Sequence, residues 1–146
     1  MILVGPSSVL HHPHGFFLWC ITNSIGGAGI FLEISKQHSF CLKLGCGTST
    51  NTRAKLLALW TLLFFAADIG IPSLSIYGDS FVIINWENDN VTLFVLDLDG
   101  WCEKIKSLKS SFLSLEFQHV YREHNQIADC LSKEALILAI GNLSYS

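Results

Sequence analysis

The stretch LSIYGDSFVIIN, Leu74–Asn85, places one acid between two runs of residues that favour β-structure and burial. Asp79 is the only charged residue from Ile69 to Trp86, and it directly follows a predicted strand, Ser73–Gly78. Ligands of α/β sheets bind outside the carboxyl ends of the strands, which favours a functional carboxylate. The alternative is an N-cap of a following helix, predicted from Asp79 to about Trp86.

Three runs of β-forming residues precede this stretch, and short turn signals separate them. They predict an antiparallel meander with strands at Phe16–Thr22, Gly27–Ile34 and Ser39–Gly47. A helix follows, capped by Thr50 or Asn51 and running to Asp68, where Gly70 and Pro72 end it.

The remaining elements alternate between helical and strand patterns. Leu98–Phe112 has the period of an amphipathic helix, Ser114–Arg122 alternates as a strand, and Gln126–Ile140 predicts a last helix. We therefore predict one α/β domain over residues 15–141, with a mixed five-stranded sheet and helices on both faces. Residues 1–14 are predicted to be an irregular lead-in, and residues 142–146 a tail.

Composition limits the class of protein. Half of the 146 residues are hydrophobic, 14% are charged and the net charge is -3, so the chain is globular and lacks the Lys/Arg excess typical of nucleic-acid binders. Its five cysteines show no CxxC spacing, which favours reduced thiols over a zinc site. The longest apolar stretch, Leu56–Ala67, is too short to span a membrane. We expect an intracellular monomer in the nucleus or cytoplasm, neither secreted nor membrane-bound.

A second acid strengthens the functional interpretation of Asp79. Asp129 lies one turn into the last predicted helix, four residues after Asn125 and on the same helical face. A carboxylate between Ile127 and Leu131 needs a partner, because burying an unpaired charge is costly. Two separate elements are thus expected to present an Asp to the same edge of the sheet.

Several spaced motifs resemble one family. They are HVYREHNQIADCLSKEAL (His119–Leu136), IYGDSFVIINW (Ile76–Trp86), TSTNTRAKLLALW (Thr48–Trp60) and GGAGIFLE (Gly26–Glu33). The chain resembles the type-1 ribonuclease H-like domains of plant retroelements and their domesticated relatives over about residues 15 to 138. This resemblance implies the ribonuclease H-like fold and cleavage of the RNA strand of RNA–DNA hybrids by two Mg²⁺ ions, held by four carboxylates.

Residue by residue, the resemblance assigns only two of those four carboxylates. Asp79 matches the acid after the fourth strand, and Asp129 matches the acid on the last helix. His124 lies where many members place a histidine that assists product release; a plain surface histidine is the alternative. Metal binding is accordingly expected only at Asp79 and Asp129, and to be weak if it occurs.

The other two acids are missing. Lys55 stands where the family has a helical Glu. The first-strand Asp position falls on Asn23 when counted through Cys20 and Thr22, or nearer Leu18 when counted back from the following strand. No registration supplies the acid, because no Asp or Glu precedes Glu33.

The exchange of Glu for Lys changes the electrostatics of the expected site. At ~4 Å and an effective dielectric constant of about 20, it removes an attraction and adds a repulsion of about 4 kcal/mol each. We therefore expect that Lys55 pairs with Asp79 or Asp129, or else extends into solvent.

Nucleic-acid contacts are expected from polar side chains near the starts of two helices: Asn51, Thr52, Arg53, Arg122 and Asn125. For the two arginines, solvated charge is the alternative. The sequence thus predicts a retroelement-derived, catalytically impaired domain that binds an RNA–DNA hybrid or another nucleic acid. The alternatives are an active Mg²⁺-dependent hybrid endonuclease and an expressed retroelement fragment without function.

Overall fold

The computed structural model describes residues 13–48, 50–80, 84, 99–121, 123, 125–138 and 143–145. Within these ranges the helices are α1 (Asn51–Asp68), α2 (Asp99–Lys109) and α3 (Gln126–Glu134), followed by a 3₁₀ turn at Ala135–Ile137. The strands are β1 (His14–Thr22), β2 (Ile25–Ser35), β3 (His38–Thr48), β4 (Ser73–Gly78), β5 (Ser114–His119) and β6 (Leu143–Tyr145).

These strands form one mixed sheet in the order β5-β4-β1-β2-β3-β6. The β1–β2, β2–β3 and β3–β6 pairs are antiparallel, whereas β4 pairs in parallel with both β1 and β5. The predicted α/β class and the meander followed by two further strands are confirmed.

A two-residue turn joins β1 to β2. Asn23 and Ser24 have φ values of 53° and 66°, and Thr22 pairs with Ile25 across them. Positive φ at both central residues is the hairpin geometry whose twist matches that of the flanking strands. The turn is therefore as short as a hairpin allows, and it fixes the register of β1 against β2.

The sequence of helix α1 is apolar on nearly all faces, and the helix is accordingly buried on most sides. Thr50 caps the helix by accepting a hydrogen bond from the backbone N–H of Arg53 at 3.2 Å. Of the two predicted caps, Thr50 and Asn51, the structure therefore has Thr50. Residues such as Leu59, Leu62 and Leu63 are fully buried in the main core. None of the described helices is long and apolar enough to cross a membrane.

Helices cover opposite faces of the sheet, as predicted. A Cβ atom on Gly15 would lie 2.7 Å from the Leu62 side chain of α1, whereas a Cβ atom on Gly29 would meet the backbone of α3 at Ala128 and Ser132. Gly15 pairs with Leu32, and Gly29 pairs with Leu18. Since side chains alternate along a strand, these two glycines mark the two faces and allow both helices a close approach.

Several predicted boundaries differ from the structure. The last helix ends at Glu134 before its 3₁₀ turn and does not reach Ile140, and the last long strand ends at His119. The predicted tail contains β6, which makes the sheet six-stranded. Three residues are too few for periodicity to reveal, and pairing with the edge of β3 stabilises them. Of the helix predicted from Asp79, only Ile84 lies within the described residues past Ser80; its N–H bonds to Ser80 O at 3.0 Å.

Candidate functional site

Asp79 lies at the carboxyl end of β4, a strand flanked by β1 and β5. Phe17 of β1 pairs with Gly78, so one further step along this parallel register brings Leu18 level with Asp79. Leu18 is fully buried. A leucine therefore occupies the position on β1 that is closest to Asp79 along the register, and it offers no ligand atom.

Lys55 projects from the second turn of α1 toward the same end of the sheet. Its Nζ atom lies 4.6 Å from the centre of the Trp19 ring, a distance at which an ammonium group is attracted to the aromatic face. Burial lowers the pKa of Lys55, and the nearby carboxylate of Asp79 acts in the opposite direction with a smaller effect. The structure thus brings Lys55, Trp19 and Asp79 together.

Asp129 has a different cation as its partner. Its Oδ2 atom lies 3.1 Å from Nζ of Lys133, one turn further along α3, and the Asp129 side chain is 18% exposed. Of the two expected partners of Lys55, Asp79 is the carboxylate whose charge acts to raise the pKa of Lys55.

Asn125 has a structural task at the start of α3. Its side chain is only 2% exposed, and Nδ2 donates a hydrogen bond to the backbone O of Phe17 at 3.1 Å. The bond ties the loop before α3 to β1 immediately beside Leu18. This placement does not favour the expected direct contact between Asn125 and a nucleic acid.

Among the residues predicted to contact nucleic acid at the start of α1, Arg53 also makes structural hydrogen bonds. Arg53 donates from Nη1 to the backbone O of Cys46 at 2.9 Å and to that of Thr48 at 3.4 Å, which ties α1 to the end of β3. Asn51 and Thr52 form the first turn of α1. The predicted residues Arg122 and His124 lie outside the described residues.

Asn23 is not brought to Asp79. It lies in the hairpin turn, five residues beyond Leu18 along β1, at ~3.3 Å per residue. Of the two registrations that the sequence allowed for the first-strand acid, the sheet register favours the neighbourhood of Leu18.

Sequence reasoning missed two residues of this site. One is Trp19, which Lys55 contacts. The other is His119 at the end of β5, whose Nε2 atom lies 3.2 Å from the backbone O of Asp79. Trp19 lies on β1 and His119 ends β5, the two strands that flank β4. Their proximity to Asp79 and Lys55 follows from the strand order, which the sequence does not state.

The sequence and the fold were both compared with those of known proteins. Residues 20–135 match the family described as reverse transcriptase-like. The chain belongs to the reverse transcriptase-like family. It is an RNase H-like domain, since its fold also matches that of RNase H1 proteins.

Three relatives define the extent of the likeness. RNase H1 from the halophilic archaeon Halobacterium salinarum NRC-1 is 25% identical with a TM-score of 0.80, and the match covers 88% of this chain and 100% of that one. LC11-RNase H1, solved in complex with an RNA/DNA hybrid, is 21% identical with a TM-score of 0.70, covering 85% and 96%. The uncharacterized protein YpeP of Bacillus subtilis (strain 168) is 31% identical over 116 residues, covering 77% of this chain and 48% of YpeP. The RNase H-like domain therefore spans about half the length of this relative.

The described acids of the RNase H-like domain do not form a dense cluster. Within the described ranges, no group of three or more His, Cys, Asp or Glu residues is placed to hold a metal ion. Around Asp79 the neighbours are the cation of Lys55, the ring of Trp19, the buried Leu18 and the imidazole of His119.

Proposed function

We propose that this RNase H-like domain binds RNA–DNA hybrid or a related nucleic acid and does not cleave it. The observation that carries the proposal is the position of Lys55, whose ammonium group lies against Trp19 and within the field of Asp79. A cation is thus built into the place where the resemblance expects a metal-binding glutamate.

The donor set does not fit two magnesium ions. Mg²⁺ takes oxygen ligands in near-octahedral geometry and gives up its water reluctantly, so it requires carboxylates that are close together. Leu18 supplies no oxygen, Lys55 repels a cation, and Asp129 is already paired with Lys133. These residues favour at most weak binding of one ion, at Asp79. We therefore assign no catalytic step through a metal.

Two observations support binding of a nucleic acid. LC11-RNase H1 shares this fold and was solved with an RNA/DNA hybrid bound. In this chain the first turn of α1, with Asn51 and Thr52, offers helix N-terminal N–H groups, which are suited to contact phosphates. Lys55, on the second turn of the same helix, adds a positive charge that needs no metal.

The net charge of the protein sets the expected character of this binding. With a net charge of -3, the RNase H-like domain lacks a broad basic surface, so few phosphates are neutralised. We expect modest affinity, a shallow dependence on salt, and recognition that relies on the shape and 2′-hydroxyls of the hybrid. Retroelement origin is part of the same proposal and rests on the sequence resemblance.

The test combines binding with cleavage on the same substrates. Labelled RNA–DNA hybrid, double-stranded DNA and double-stranded RNA are titrated with the protein in EDTA, and then incubated in Mg²⁺ or Mn²⁺. The proposal predicts preferential binding of the hybrid in EDTA without cleavage in either metal. Cleavage that is lost in Asp79→Asn would establish the active endonuclease instead, and equal or absent binding to all three duplexes would favour the fragment without function.

A further inference from the structure

Tyr121 presents an aromatic ring to solvent beside the strand end that carries Asp79. Of the Phe, Tyr and Trp side chains that the structure describes, only those of Tyr121 and Phe64 are exposed, at 61% and 45%. The ring of Phe64 stacks on that of Trp60 at 5.0 Å and 19°, on the surface of α1. Tyr121 instead lies two residues beyond the end of β5, the strand that pairs with β4.

Three contacts hold Tyr121 and its neighbours at this place. The backbone N–H of Val120 donates to the backbone O of Gly78 at 2.9 Å, so the chain beside Tyr121 is attached to β4 one residue before Asp79. The rings of His119 and Tyr121 meet edge to face, with centroids 5.1 Å apart and planes at 88°. Nε2 of the same His119 lies 3.2 Å from the backbone O of Asp79. The exposed ring is therefore held next to Asp79 by the end of the sheet.

The chemistry of a fixed tyrosine limits what it can bind. A side chain that is already held in place loses little conformational entropy when a ligand packs against it. The face of its ring is suited to apolar or flat groups, and its phenolic O–H both donates and accepts a hydrogen bond. Because Tyr121 is not a cation, it gains less from a phosphate than a lysine or an arginine does. These properties favour a neutral part of a nucleotide over its phosphate.

We infer that Tyr121 contacts the RNA strand of the bound hybrid, with its ring against a ribose and its hydroxyl hydrogen-bonded to the 2′-hydroxyl of that ribose. The bases of a duplex are stacked inside it, whereas a wide, shallow minor groove displays the 2′-hydroxyls. A ring that projects from a strand end therefore meets the sugar and not the face of a base. The inference rests on the proposed function, and it makes Tyr121 the residue that distinguishes RNA from DNA at this site.

The test compares the affinity of the protein in EDTA for an RNA–DNA hybrid and for a DNA duplex of the same sequence, by fluorescence anisotropy. Tyr121→Ala removes both the ring and the hydroxyl, so it should bind the hybrid ~5-fold or more weakly than the wild type does. Tyr121→Phe keeps the ring and removes only the hydroxyl. It should bind the hybrid ~3-fold or more weakly and the DNA duplex within ~2-fold of the wild type, so the preference for the hybrid falls.

Phe64→Ala is the matched control, because it removes the other exposed ring of the described structure. Phe64 lies nine residues beyond Lys55 on α1, which is about 14 Å along the helix. This variant should change the affinity for the hybrid less than ~2-fold. Thermal scans of all three variants should show folded proteins, since both substituted side chains are exposed.

The outcomes separate this inference from the proposed function. Hybrid binding by the wild type that is equally strong in Tyr121→Ala, or equally weakened in Tyr121→Ala and Phe64→Ala, would overturn the inference and leave the proposed function standing. An unchanged preference for the hybrid in Tyr121→Phe would overturn the contact with the 2′-hydroxyl. Absence of hybrid binding by the wild type would refute the proposed function and the inference together.

Discussion

The ammonium group of Lys55 lies 4.6 Å from the centre of the Trp19 ring, and the carboxylate of Asp79 acts on it from the end of the neighbouring strand. The lysine thus contributes a positive charge to the sheet edge at which Asp79 lies. Burial opposes that charge more than Asp79 favours it, since the net effect is a lowered pKa.

Restoring the carboxylate at position 55 should create a measurable response to magnesium. Lys55→Glu places two carboxylates near each other, so the variant should be less stable than the wild type in EDTA and regain stability in Mg²⁺. At ~10 times Kd the gain should be about 1.4 kcal/mol, or about 3–5 °C in Tm.

Lys106→Glu is the matched control, because it makes the same charge change at an exposed position of α2. The wild type and this control should show no comparable response in thermal scans. A similar Mg²⁺ response in all three proteins would show that Lys55 does not exclude the metal.

The stability of the protein should also depend on pH through Lys55. Its folded pKa is lowered, so between that value and the ordinary 10.5 the unfolded chain binds more protons than the folded one. The contribution of Lys55 to the free energy of unfolding therefore rises with pH in this window, and it is lost as pH falls through the folded pKa.

Lys55→Met should lack that rise, whereas Lys106→Met should keep it. The measurement is the free energy of unfolding by urea at several alkaline pH values, taken as the difference from the wild type. The difference is needed because Cys46 also contributes to the pH dependence. Burial raises the pKa of Cys46 to about 11, so its contribution to the free energy of unfolding falls as the pH rises above 9.0. Parallel curves for the wild type and Lys55→Met would contradict the burial of this lysine.

Much of the fold could be predicted from sequence because its patterns are local. The strand at Ser73–Gly78 and the end of the first helix at Asp68 were placed to the residue, and the start of that helix was placed to within one residue, since a cap, a terminal glycine and a proline mark these limits. β6 could not be predicted, because its three residues are held by the edge of β3 and not by any periodicity of their own.

Some residues of the site could be predicted from sequence motifs, and others only from the tertiary structure. The motifs identified Asp79 and Lys55, which the structure brings together, but the sequence left the first-strand position open between Asn23 and Leu18. Only the register of β1 against β4 favours Leu18, and that register is a tertiary property. Trp19 and His119 were missed because strand order, which the sequence does not state, brings their ends to β4.

The close approach of α3 to β2 gives a test of packing. Gly29→Ala places a methyl group against the backbone of Ala128 and Ser132, which no rotamer change can relieve. We expect a loss of about 2 kcal/mol or more in the free energy of unfolding.

Gly70→Ala is the comparison. Gly70 has φ of 85° with nothing within 4 Å of the added atom, so only backbone strain of ~1 kcal/mol is expected. Urea denaturation of both variants measures the difference. Equal losses would mean that α3 does not pack against Gly29 as described.

Thiol reactivity should separate the cysteines. Cys46 is 1% exposed and burial raises its pKa to about 11, so at neutral pH it is both inaccessible and protonated. Cys130 is exposed, although the hydrogen bond to Glu134 raises its pKa as well. With a thiol reagent at neutral pH, peptide mass mapping should find Cys130 modified and Cys46 modified only after unfolding. Early modification of Cys46 in the folded protein would contradict its burial.

The central claim is that this RNase H-like domain binds a hybrid without cutting it. The most direct measurement follows one end-labelled RNA–DNA hybrid with the purified wild-type protein, by mobility shift in EDTA and by denaturing gel after incubation in Mg²⁺ and in Mn²⁺. We expect a shifted complex in EDTA and intact RNA in both metals. RNA fragments produced by the wild type and absent with Asp79→Asn would contradict it.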